Sequence, residues 1–137
     1  SISGSTVTVS NVTSNTTCTV TLPSKTYTVT MNISGGTISA TDSNAIYNRE
    51  TGELEISGNA IISSESETNY PTLTNLGTAT INGGTISSTD AYAIWNLETG
   101  VLEISQGTIT STNSYGIYND GGEVNITGGD ISSKYGC

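Results

Sequence analysis

One pattern returns through most of the chain. In its fullest form it reads Ile81-Asn82-Gly83-Gly84-Thr85-Ile86, and its leading isoleucines are Ile33, Ile56, Ile81, Ile104 and Ile126, at intervals of 23, 25, 23 and 22 residues. A second apolar column stands five residues further on, at Ile38, Ile61, Ile86, Ile109 and Ile131. A third holds Ile46, Leu73, Ile94 and Ile117, each followed two residues later by an asparagine: Asn48, Asn75, Asn96 and Asn119. A unit this short cannot bury an apolar face alone, so the units must stack on one another.

Within each unit, three short alternating segments are separated by Gly or Asx turns. Alternation sends every second side chain to one face of a strand. With the three apolar columns inward, each unit closes into a triangular rung whose strands pair in parallel with those of the next. The pattern resembles the right-handed parallel β-helix, the pectate-lyase-like solenoid, over the whole chain. The resemblance implies an all-β fold, and its handedness agrees with the usual crossover between parallel strands. The expected organisation is one domain of about six rungs over residues 1–137. An irregular N-terminal rung covers 1–30, four regular rungs 31–123, and a partial rung 124–137. At the N-terminus, Ile2 to Thr8 aligns with Ile33 to Ser39, a gap of 31 residues that predicts an insertion within 9–25. Residues 63–72, which include Glu65, Glu67 and Pro71, read as a surface loop.

Composition narrows the function classes. Only three residues of 137 are basic, His is absent, and the formal net charge is -9. Such a surface cannot neutralise phosphates, which argues against nucleic acid as a partner. No apolar run reaches the ~18 residues that span a bilayer, so membrane insertion is not expected. Without His, and with Cys18 and Cys137 far apart in the stack, zinc is not expected; no cofactor or metal is predicted. The chain begins at Ser1 without Met, which suggests a processed or excerpted chain, and its expected location is secreted or cell-surface.

Five groups of residues are candidates for function. Cys18 and Cys137 lie about five rungs apart, roughly 24 Å, beyond the reach of an intrachain disulfide. They would join neighbouring copies, or they are apolar fillers. Asn48, Asn75, Asn96 and Asn119 suit a structural hydrogen-bonded ladder along a turn. If the third-column isoleucines point inward, Tyr47, Trp95 and Tyr118 form an outward strip broken by Thr74, with Tyr92, Tyr115 and Tyr135 as a second column beside it. Such rings stack on sugars or pack against another filament; with reversed parity, the first three instead fill the core against Ala45, Ala93 and Gly116. Second-strand Thr and Ser residues (Thr6, Thr37, Ala60, Thr85, Thr108, Asp130 and Thr8, Ser39, Ile62, Ser87, Thr110, Ser132) form a face resembling an ice-binding array, interrupted at Ala60, Ile62 and Asp130. Sequons at Asn11, Asn15, Asn32 and Asn125 are possible glycosylation sites.

Catalysis has little to stand on. Glu55 and Glu103 share a column, but at about 9.6 Å they sit at the edge of the range for paired glycosidase carboxylates. No catalytic residue is assigned. Asp42, Asn69, Asp90 and Asn113 form a further column that Asx turns explain. The leading expectation is a structural subunit: both ends look like ordinary rungs, and open strand edges invite head-to-tail stacking into a homopolymer with itself, locked by disulfides. The alternative is a carbohydrate-binding or adhesin segment of a larger surface protein, with carbohydrate as its partner.

Overall fold

The structure, a computed structural model, describes residues 8–9, 28–66 and 69–136. It is an all-β parallel solenoid. Thirteen strands are described: β1 (Thr8–Val9), β2 (Val29–Ile33), β3 (Thr37–Thr41), β4 (Ile46–Asn48), β5 (Gly52–Ile56), β6 (Ile61–Glu65), β7 (Leu73–Asn75), β8 (Thr78–Ser88), β9 (Ile94–Asn96), β10 (Val101–Ser111), β11 (Ile117–Asn119), β12 (Glu123–Ile126) and β13 (Asp130–Ser133). Four form one sheet in the order β11-β9-β7-β4, so the described residues complete about four turns. That is fewer than the six rungs expected. The additional rungs assigned to 1–30 and 124–137 contribute β1 beyond β2 at one end and β12 with β13 at the other.

The other nine strands make a second sheet, with β1-β2-β5-β8-β10-β12 as successive neighbours and β3, β6 and β13 paired beside them. Separate first and second strands were expected in every unit. In two rungs they are continuous: β8 and β10 each run eleven residues through the glycine turn. Gly84 (φ 77°) and Gly107 (φ 109°) turn the backbone in a region that L side chains rarely adopt, so the chain bends while pairing resumes on either side.

The core is a set of columns. Ile33, Ile56, Ile81, Ile104 and Ile126 are successive partners, as are Ile46, Leu73, Ile94 and Ile117. The second column needs one correction. Ile62, not Ile61, pairs with Ile38 and Ile86; Ile62 is buried and Ile61 is 46% exposed. The turn from Ile56 to Ile62 holds one residue more than its counterparts, and Asn59 is exposed there. Ala60 and Ile62 are therefore core, and Ile61 and Ser63 take the outward places expected for them.

Two further expectations change. Thr8 and Val9 pair with Thr30 and Met31, not beside Ser39, so their spacing to the next rung is 22 residues and this pairing needs no insertion. Residues 63–65 continue strand β6, and Ser64, Ser66 and Thr72 are buried. The departure from the coil is thus shorter than 63–72. Ser64 Oγ lies 2.7 Å from Thr72 Oγ1, which donates to the Ser87 carbonyl at 2.7 Å and closes the base of the excursion.

Candidate functional site

Strands β4, β7, β9 and β11 are three residues long, and their middle residues point away from the core. Tyr47, Thr74, Trp95 and Tyr118 are successive partners along this outer column. Tyr47 and Tyr118 are exposed, Trp95 is partly exposed, and the isoleucines beside them are buried. The reversed parity, with these rings in the core, is excluded.

The corners before β9 and β11 are each held by a buried serine. Ser88 Oγ accepts from the Ala91 amide at 3.3 Å, and Ser111 Oγ accepts from the Ser114 amide at 3.1 Å while donating to the Ala91 carbonyl at 2.8 Å. Backbone bonds then stack the corners, with the Ala93 and Ile94 amides donating to the Tyr115 and Gly116 carbonyls. Tyr92 and Tyr115 follow these serines and so leave the coil at equivalent places, next to the outer column.

The result is a ring cluster. Tyr92 stacks on Tyr118 with centroids 4.7 Å apart and planes 20° apart. Tyr92 meets Trp95 and Tyr115 edge-on at 6.4 and 5.9 Å, and Tyr115 lies 5.8 Å from Tyr135. These five rings line a cleft of about 580 Å³ together with Asn69, Ser114 and Asp120. The volume is within the usual range for small-ligand sites. Lys134 Nζ sits 5.2 Å from the Tyr135 ring centroid. Trp95 Nε1 is closed from solvent and has no hydrogen-bond partner among the described residues. An unpaired buried donor of this kind costs about 1–3 kcal/mol.

Tyr47 belongs to the outer column but not to the cleft. Thr74, only 2% exposed, stands between it and Trp95. Asn44 Nδ2 donates both to Thr74 Oγ1 at 2.7 Å and to the Pro71 carbonyl at 2.8 Å, fixing the end of the excursion over this column. Asp120 and Ser114 were not singled out in the sequence. A signal for Asp120 exists: one residue after each ladder asparagine the chain has Arg49, Leu76, Leu97 and Asp120, so the acid is the outlier.

The remaining candidates are dispersed. The asparagines form a ladder: Asn48 Nδ2 donates to Asn75 Oδ1 at 2.8 Å, Asn75 to Asn96 at 2.8 Å and Asn96 to Asn119 at 2.9 Å. The same amides reach the carbonyls of Thr78, Val101 and Glu123 on the next rung. Asn32 and Asn125 share an outward column with Glu55, Thr80 and Glu103, on the sheet that holds the first strands. Asn113 Nδ2 donates to Asp90 Oδ1 at 2.7 Å, and no group of three or more His, Cys, Asp or Glu suited to a metal occurs among the described residues. Cys18, Cys137, Asn11 and Asn15 lie outside the described residues. No family model, curated protein or solved structure matches the chain.

Proposed function

We propose that this solenoid is a non-catalytic carbohydrate-binding module of a secreted or cell-surface protein. The observation that carries the reading is the cleft itself: five aromatic rings beside three polar side chains on one outer edge of the coil. Aromatic faces pack on the apolar faces of sugar rings, while Asn, Ser and Asp exchange hydrogen bonds with hydroxyls. Tyr115, Tyr118 and Tyr135 leave enough surface uncovered for that contact. The rigid stack holds the rings in place before any ligand arrives, which lowers the entropic cost of binding.

Trp95 is the chain's only tryptophan and lines the cleft, so its fluorescence is a direct reporter. Titration with a panel of cello-, xylo-, manno- and chito-oligosaccharides is expected to give a saturable change. Replacing Tyr118 by Ala should weaken the binding about tenfold, the loss of one good stacking contact. A silent panel, confirmed by calorimetry, sinks the reading.

A second reading is end-to-end assembly of copies into a filament, and one observation favours it. Ile126 is 45% exposed, whereas Ile33, Ile56, Ile81 and Ile104 of the same column are at most 1% exposed. Another rung on that face would cover Ile126 and pair the outer edges of β12 and β13. The proposed joining residues, Cys18 and Cys137, should give a ladder of multimers on a non-reducing gel that collapses with reductant. A single monomer band and a monomeric sedimentation profile at high concentration would remove this reading.

A further inference from the structure

We propose that the saccharide taken by the cleft carries a free ammonium group, making it an amino sugar rather than a neutral or acidic one. This rests on the carbohydrate reading above and narrows it to a substrate class. The aromatic edge already collects cations. Lys134 Nζ lies 5.2 Å from the centroid of Tyr135, a ring of the cleft, and Arg49 Cζ lies 5.5 Å from that of Tyr47, outside it. A ligand ammonium would displace the exposed Lys134 side chain or lie over the other cleft rings. The negative face of an aromatic ring attracts a cation, and the attraction grows as the cation is desolvated.

Asp120 supplies the second half of the site. It is the charged residue lining the cleft, at a position where the other rungs carry Arg49, Leu76 and Leu97. A ligand that covers the cleft strips water from this carboxylate, which is costly unless an opposite charge or strong donors replace it. An ammonium does so and also meets the ring faces. The chain's net charge of -9 repels acidic saccharides and steers cationic ones towards the surface.

The test compares three hexamers that differ at one substituent of each sugar: cellohexaose (hydroxyl), chitohexaose (acetamide) and fully deacetylated chitohexaose (ammonium at mildly acidic pH). Calorimetry at low salt should show the deacetylated hexamer binding about tenfold more tightly than either neutral one. High salt should cut the preference severalfold, and Asp120→Asn should remove most of it. Equal affinity for the three hexamers overturns the ammonium inference and leaves the carbohydrate reading standing. Failure of all three to bind overturns both. Tight binding of the deacetylated hexamer that survives Tyr118→Ala unchanged also overturns the inference, because the polycation is then held elsewhere on the acidic surface.

Discussion

The two corners that flank the third strand are close in sequence and opposite in construction. After Ile94-Trp95-Asn96 the chain turns through a corner closed from within. The asparagine amides bond to one another and to backbone carbonyls, and Asn75 and Asn96 are fully buried. A glycine column, Gly52, Gly77, Gly100 and Gly122, follows because the ladder leaves no room. A Cβ on Gly77 would collide with the backbone oxygens of Gly52 and Arg49. Before the strand, single buried serines hold the backbone while the following side chains project outward. That corner accommodates the excursion ending at Pro71, and it carries Tyr92 and Tyr115. A solenoid can therefore keep stability at one corner and place recognition at its neighbour, because only the first needs every side chain for its own hydrogen bonds.

Substitutions that cut each corner should separate the two roles. The largest loss is expected for Asn75→Ala. It removes the acceptor for Asn48 and the donor for Asn96, and it frees the Val101 carbonyl. Several unpaired buried groups at ~1–3 kcal/mol each put the cost near 4 kcal/mol, measurable by urea unfolding with the slope of the transition unchanged. A loss under about 1 kcal/mol would mean the ladder is ornamental and the contrast false. Ser111→Ala at the other corner should cost less, about 1.5 kcal/mol, because only the Ser114 amide and the Ala91 carbonyl lose a partner. Its sharper signature should be in binding. The loosened Tyr115 should weaken any glycan several-fold, whereas Asn75→Ala should leave affinity nearly intact in the fraction that remains folded.

What could be read from the sequence follows the same division. The ladder and the first and third core columns were legible, since each repeats one residue type at a nearly fixed interval. The second column failed where Ile61-Ile62 offers two candidates and the preceding turn has one extra residue. Alternation cannot choose between neighbours, and only pairing with Ile38 and Ile86 settles it. The N-terminal alignment failed because Ile-Ser-Gly is too short to fix a register among many Thr and Val residues, and Thr8 pairs with Thr30 instead. The outward strip could be proposed from parity, but the cleft could not. It depends on Tyr92 lying down on Tyr118, a contact between rungs with no sequence period, and on Asp120 lining it beside the rings.

The smallest expected effect is also the most discriminating about the aromatic edge. Tyr47 stands in the same outer column as Trp95 and Tyr118, and the sequence breaks that column only at Thr74. In the structure Thr74 intervenes, and Tyr47 is 53% exposed with Arg49 over its ring. An exposed side chain with one cation–π neighbour contributes little to folding, so Tyr47→Ala should change stability by no more than about 0.5 kcal/mol. It should also leave the Trp95 response to oligosaccharide unchanged, whereas Tyr118→Ala, three rungs away in the same column, lowers affinity about tenfold. If the two variants weaken binding equally, the ligand runs along the whole column and the cleft is only part of its track. If neither matters, the rings serve packing between rungs, and the outer edge is then a second scaffold corner rather than a site.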